Sequence, residues 1–311
     1  MHIKKVLVPV DFSPPSTVAV NHGIVLARRF RAKLTLLHVI EPGTALTYTF
    51  PTESEKAEKA RYERAERMLA AMVGPEDQDD LDLQIAVAIG DIESAIVSAV
   101  HETRADIVVM GTHGRRLLGR WLIGSVTQAL LRKVDVPILT VCHVSRPLAF
   151  KGILFATDFS ESSTEGFQFV LDLASAINSK LVAAHVIDKR PPVAYETPDV
   201  AAVFDAERRH VLDKARTRFE KIESAARDKK VTLETVVAEG VPAEAILRVA
   251  DEHEVDFIVL AIRKKGRLER ALLGTTAERL VRDAHVPVLS VPTHAVADTE
   301  DLPSPRQHAA L

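Results

Sequence analysis

The chain carries one cysteine in 311 residues, Cys142. A single thiol excludes an intrachain disulfide and suits a reducing compartment. At the end of the apolar run PILTVC it is expected to be a small packed strand residue rather than a reactive thiol. Long hydrophobic runs are also missing: no stretch approaches the roughly 18 to 20 apolar residues of a membrane span. The amino-terminal MHIKKVLVPVDF lacks a secretory apolar core with a cleavage signal. A cytoplasmic protein with no membrane partner is therefore expected. Charge of one sign is not in excess, since 40 basic against 43 acidic side chains leave a net −3. That balance predicts no nucleic-acid partner. No cluster with metal-ligand spacing is visible, and the acidic run EDQDDLD at 76–82 reads as a solvated loop. No Gly-x-x-x-x-Gly-Lys-Ser/Thr segment occurs, so a P-loop has no support.

What the chain does have is a repeat. KVLVPVDFS at 5–13 is answered by GILFATDFS at 152–160, and KVDVPILTV at 133–141 by RDAHVPVLSV at 282–291. Asp11 matches Asp158, His38 His185, Gly90 Gly240, Asp106 Asp256, Gly124 Gly274 and Pro137 Pro287, at an offset that drifts from 147 to 150 residues. Collinear matches of this length indicate a duplicated domain rather than a short solenoid unit. The total length agrees with two domains of about 150 residues each. The expected boundaries are 1–146 and 147–295, with a polar, proline-containing and disordered tail at 296–311.

Apolar runs at 5–10, 34–40, 84–89, 106–110 and 137–142 alternate with helical patterns. VLVPV, LTLLHVI, DIVVM and PILTV are apolar on both alternating faces, as in parallel strands covered by helices above and below. The fold class is α/β, with two tandem doubly wound domains. Ser13 before Pro14 and Pro15 predicts a helix start running to about Arg29, and 53–72 predicts a long amphipathic helix with Ala65, Leu69 and Met72 inward. Further helices are expected from Gly90 and near 162–178 and 202–227. The connections at 41–52 and 188–199 are rich in turn residues and are candidate lids.

After DIVVM comes GTHGRRLLGRWLIGSVTQALLR, in which Gly111, Gly114 and Gly124 precede Ser125. Glycines at 111 and 114 permit close approach of main-chain amides to an anion, and Gly124–Ser125 opens a helix whose unpaired amides favour negative charge. The plain alternative is a tight strand-to-helix connection that binds nothing. The second half reads AIRKKGRLERALLGTTAERLVR, with Ala261 and Lys264 where the first half has Gly111 and Gly114. A weak or empty site is expected there; Arg263, Lys264, Lys265, Arg267 and Arg270 read as a solvated basic surface, with charge-based binding of a different anion as the alternative.

The pattern Gly-x-x-Gly, nine residues, Gly-Ser after the fourth strand resembles the ATP-binding motif of the universal stress protein family. VLVPVDFS, LTLLHVI and VPILTV extend the resemblance over nearly the whole chain. The resemblance implies five parallel strands per domain in the order 3-2-1-4-5, helices on both faces, and ATP across their carboxyl ends. Asp11 would hydrogen-bond the adenine or ribose side, Pro9, Val10 and Val39 would border the base, and Met110 would pack nearby. Gly111, His113, Gly114, Arg115, Gly124, Ser125, Val126 and Thr127 would surround ribose and phosphates, with Mg2+ or Mn2+ bridging phosphates. The strands ending in VPILTV and VPVLSV would pair as an intrachain pseudo-dimer, and further association into a homodimer stays open.

The resulting expectation is a stress-response or signalling regulator whose nucleotide state governs association with a protein partner the sequence does not identify. No convincing nucleophile, base and acceptor constellation is present, and no catalytic residue is assigned. Slow self-modification at Ser125 or Thr127, a slow ATPase or nucleotidyl-transfer enzyme, and a nucleotide-independent scaffold are the alternatives.

Overall fold

The computed structural model describes residues 3–42, 51–112, 123–142, 145–146, 148–188, 198–264 and 274–293. His113, Gly114, Arg115, most of the two candidate lids, Lys265, Arg267, Arg270 and the 296–311 tail lie outside them. The first half runs β1 (Lys5–Pro9), α1 (Pro14–Phe30), β2 (Lys33–Ile40), α2 (Pro51–Ala70), α3 (Pro75–Asp80), β3 (Leu83–Ile89), α4 (Ile92–Thr103), β4 (Ile107–Gly111), α5 (Ser125–Lys133), β5 (Ile138–Val141). The second runs β6 (Gly152–Ala156), α6 (Glu161–Ile177), β7 (Lys180–Asp188), α7 (Pro198–Asp228), β8 (Leu233–Gly240), α8 (Pro242–Glu252), β9 (Phe257–Arg263), α9 (Thr275–Asp283), β10 (Val288–Thr293).

The strands lie in one sheet, β3-β2-β1-β4-β5-β10-β9-β6-β7-β8. Each half is parallel in the order 3-2-1-4-5, and the halves meet where β5 and β10 pair antiparallel with Leu139 opposite Leu289. Leu289 is the repeat counterpart of Leu139, so a local twofold passes through that pair.

Side-chain alternation along the strands divides the core into two layers. Val6, Val8, Leu34, Leu36 and Val109 face α1 and α2, whereas Leu7, Leu37, Val108 and Met110 face α4 and α5. Both layers continue across the seam into the second half, so the two cores support each other. Ser13 caps α1 by accepting the Ser16 amide, and Ser160 caps α6 by accepting that of Ser163 at 3.2 Å. The repeated Asp106 takes the amides of Lys4 and Lys5 at 2.7 and 2.9 Å, and Asp256 takes those of Lys151 and Gly152. Each carboxylate thus secures the start of the central strand of its half. Gly90 and Gly240, φ +151° and +131°, turn the chain from β3 and β8 towards the next helix, a backbone conformation open chiefly to glycine.

The acidic run is not a loop. Residues 75–80 form α3, because Pro75 occupies the first turn and Glu76 and Asp77 lie at the positive end of the helix dipole. Gln78 secures it by donating to the carbonyls of Ala70 and Val73 at 3.1 and 2.8 Å. Cys142 lies just beyond β5, half-buried, with its sulfur 3.4 Å from Ser145 Oγ and from the Ala284 carbonyl.

At the seam Thr140 donates to the Val288 carbonyl across the strand pair at 3.0 Å, while its repeat counterpart Ser290 is buried with an unpartnered hydroxyl. Ser290→Ala is expected to raise stability by about 1 kcal/mol, since it removes a buried unsatisfied group and little volume. A higher urea midpoint at unchanged slope is the result sought; a lower midpoint would show that the hydroxyl is satisfied in solution.

Candidate functional site

The carboxyl ends of β1, β2 and β4 open into a cleft of about 1070 Å³ at the point where the strand order reverses. Pro9, Val10, Asp11, Val39, Met110, Gly111, Gly124, Ser125, Val126 and Thr127 all line it.

One wall is the turn after β1. The Val10 amide continues the β1–β2 pairing by donating to the Leu37 carbonyl at 2.7 Å. His38 Nδ1 lies 2.7 Å from the Val10 carbonyl, which only accepts, so that nitrogen carries the proton. Phe12 takes a left-handed conformation, φ 61°, that brings its ring 4.6 Å from the His38 ring. Asp11 is set by the amide and hydroxyl of Ser13, 3.0 and 2.6 Å from Oδ1. A carboxylate held this way at a cleft wall can take hydroxyl or amino donors, not phosphate oxygens. The second half repeats the turn, with Phe159 at φ 60° and His185 Nδ1 2.9 Å from the Thr157 carbonyl. Both histidines therefore brace a turn.

The opposite wall is the start of α5. The Gly124 amide donates to the Thr112 carbonyl at 2.8 Å, and the first intrahelical bond runs from Gln128 to Gly124 at 3.0 Å. Gly124 supplies no side-chain cap. The first-turn amides ahead of Gln128 have no intrahelical acceptor, and with the dipole they favour an anion. The Thr127 hydroxyl is buried and donates to the Gly111 carbonyl at 3.0 Å, so it fastens α5 to β4. Ser125 is the exposed hydroxyl of this turn.

Gly111 has a different role from the one its motif suggests. A Cβ there would lie 2.8 Å from Pro15 Cβ and 3.0 Å from the Pro15 carbonyl carbon, against α1 rather than in the cleft. In the second half Ala261 is accommodated because Gly166 of α6 faces it, a Cβ on Gly166 lying 2.7 Å from that of Ala261. The Gly111-to-Ala261 difference is thus a packing exchange between strand and helix, not an obstruction of a ligand.

Two elements join the lining without a sequence motif. Arg61, Arg64, Ala65 and Met68 of α2 lie at i, i+3, i+4 and i+7, one helix face, and Ile92 and Ile96 of α4 lie at i and i+4. Inward apolar periodicity at Ala65 was the available signal. Asp11, Glu41, Asp91 and Glu93 outnumber the two arginines. Asp91, cap of α4, is held below the ordinary carboxylate range chiefly by the Ser94 hydroxyl and amide.

The second half keeps the turn and an uncapped start of α9 at Gly274, but departs in what surrounds them. Arg218 stands 150 residues after Met68 and lies 5.4 Å over the Phe159 ring, with Phe219 edge-on to that ring at 5.0 Å. Asp158 turns towards α6, accepting the Ser163 hydroxyl at 2.6 Å. Of the basic cluster, Arg263 is exposed, but Lys264 is half-buried and not the solvated charge its sequence context suggests. Its backbone ends β9 beside Thr293, so its side chain extends over the seam instead of into water.

Burial opposes the charge on Asp158, but the hydroxyls of Ser163 and Ser160 and the Ser160 amide outweigh it and hold the carboxyl below its ordinary value. A depressed acid contributes stability above its unfolded pKa and loses it as pH falls through the folded value. Ser163→Ala is therefore expected to move Asp158 titration upward and acid unfolding to less acidic pH; unchanged carboxyl NMR titration would contradict this.

The model of the universal stress protein family matches residues 2–141 and again 149–292. A universal stress protein of Mycolicibacterium smegmatis is 27% identical over 305 residues, 92% of this chain and 96% of that protein. One from Methanocaldococcus jannaschii is 30% identical over 142 residues, 46% of this chain and 82% of its own. The crystal structure of a universal stress protein from Archaeoglobus fulgidus superposes with a TM-score of 0.62 at 22% identity, covering 94% of this chain and 97% of that one.

Proposed function

The chain belongs to the universal stress protein family, and we propose that its first half binds an adenine nucleotide, ATP above all, as a regulator of association rather than as an enzyme. The observation that carries this reading is the uncapped amino end of α5 forming a wall of the cleft at the strand-order reversal. Phosphates would meet the amides of Ser125 and Val126, with His113, Gly114 and Arg115 completing the loop. The base would lie between Val10, Val39, Met110 and Ile96, and Asp11 would take a ribose hydroxyl or the adenine amino group. Among the described residues no group of three or more His, Cys, Asp or Glu side chains is placed to hold a metal. Mg2+ or Mn2+ would enter with the nucleotide phosphates and offset the acidic lining.

Binding is favoured over catalysis because the Thr127 hydroxyl and His38 Nδ1 are engaged with main-chain carbonyls. The test is thermal unfolding with ATP, ADP, AMP, GTP and cAMP, the last being a ligand with which another universal stress protein has been crystallised. At about 100 times Kd a ligand stabilises by about 2.7 kcal/mol. MgATP is expected to raise the melting temperature, less so with chelator, and to be recovered unchanged. No shift with any adenine nucleotide would overturn the binding reading, and steady ADP release would replace the regulator with a slow ATPase.

A further inference from the structure

Lys264 stands at the repeat position of Gly114, yet its side chain belongs to the other half of the molecule. From the end of β9 it crosses the β5–β10 seam, and Nζ donates a 2.9 Å hydrogen bond to the carbonyl of Leu131 in the last turn of α5. The final carbonyls of a helix have no intrahelical donor, and a cation there complements the negative end of the dipole. The Leu130 carbonyl is taken by the Val134 amide at 3.0 Å, and Lys264 takes the next one. Its own backbone is fixed, the Lys264 amide donating to the Thr293 carbonyl at 2.9 Å.

Burial lowers the proton affinity of the Lys264 amine, while the Asp135 carboxylate opposes that shift. Half-burying a long cation costs side-chain entropy and solvation, which glycine at the same repeat position avoids. The compensating contact is made to α5, the helix whose amino end faces the cleft. At its other attachments α5 is held by Gly124 to Thr112, by Thr127 to Gly111, and by an exposed pair between Lys133 and Glu93 at 2.7 Å. An exposed pair of that kind contributes little, so beside the core packing of Leu130, Leu131 and Val134 Lys264 is the polar restraint that ties the carboxyl end of α5 to the second half. A nine-residue helix moves as one rod of about 13 Å, so a tilt at one end displaces the other.

We propose that Lys264 is a positioning residue for the first-half site: by holding the carboxyl end of α5 it sets where the amino end meets the bound phosphates, coupling the second half's altered loop to nucleotide occupancy in the first. This rests on the nucleotide-binding reading above. Coupling is reciprocal, so if Lys264 strengthens nucleotide binding, nucleotide strengthens the Lys264 contact by the same factor.

The experiment is acetylation of the full-length wild-type chain by dilute acetic anhydride, with modification of each lysine followed by mass spectrometry with and without saturating MgATP. Lys264 modification is expected to slow by about fivefold or more, while Lys229, paired with Asp172, is unaffected. In parallel, Lys264→Met is expected to weaken MgATP binding by about fivefold or more, with Lys264→Arg restoring it. Wild-type binding with unchanged Lys264 modification would overturn the proposal, and so would a folded Lys264→Met variant that binds as wild type. The labelling arm decides even if that variant does not fold. A wild-type chain that binds no MgATP would remove the nucleotide reading itself, and this proposal with it.

Discussion

Ser125→Asp is expected to weaken MgATP binding by about 100-fold or more while leaving the melting temperature of the nucleotide-free chain unchanged or slightly higher. Ser125 is the exposed first residue of α5 and lines the cleft. An acid in the first turn gains about 0.3–1 kcal/mol from the dipole, so the helix itself tolerates it. A unit charge about 5 Å from a phosphate charge costs roughly 3 kcal/mol at an effective dielectric of about 20, so repulsion dominates binding. Thr275→Asp at the equivalent start of α9 is the control, with no expected effect on affinity. Calorimetric titration and thermal unfolding of both variants separate the outcomes. Equal binding by wild type and Ser125→Asp would mean that α5 does not receive the phosphates.

Gly111→Val is expected to lower the stability of the first half by about 1–3 kcal/mol, the usual cost of forcing volume into a packed site. The first added carbon already falls 2.8 Å from Pro15 Cβ and 3.0 Å from a backbone atom of the same residue. Neither is the far end of a flexible side chain, so α1 must move. The conformational gain from replacing a strand glycine, about 0.5–1 kcal/mol, is smaller than that strain. Because α1 and Gly111 both border the cleft, nucleotide affinity should fall as well. Ala261→Gly, by contrast, leaves only a methyl-sized gap against Gly166, and its expected cost stays below that of Gly111→Val. Denaturant titrations of the two variants provide the comparison, and a Gly111→Val chain as stable as wild type would show that the α1–β4 contact is looser than described.

The architecture was largely legible because both halves repeat the same signals. Alternating apolar runs, Ser13 and Ser160 before their helices, and paired aspartates and glycines specify local structure that the sheet then assembles in the order 3-2-1-4-5. The α3 segment departs from the loop that its acidic composition suggests because Pro75 in a first helical turn favours a helix there. Within the site, the residues after β1 and at the start of α5 were legible because short motifs fix them. Arg61, Arg64 and Met68 were not, since a long helix shows which residues share a face but not what that face covers. Gly111 and Lys264 show the same limit more sharply. The sequence distinguishes glycine from alanine or lysine, but only the fold shows that one faces α1 and the other reaches α5 of the neighbouring half.

The central claim is one nucleotide site per chain, formed by the first half. Calorimetric titration of the nucleotide-free, full-length chain with MgATP tests it most directly. The account predicts a stoichiometry of one, lost in Ser125→Asp and retained in Thr275→Asp. A stoichiometry of two would contradict the asymmetry between the halves, and the absence of binding would contradict the assignment of the cleft.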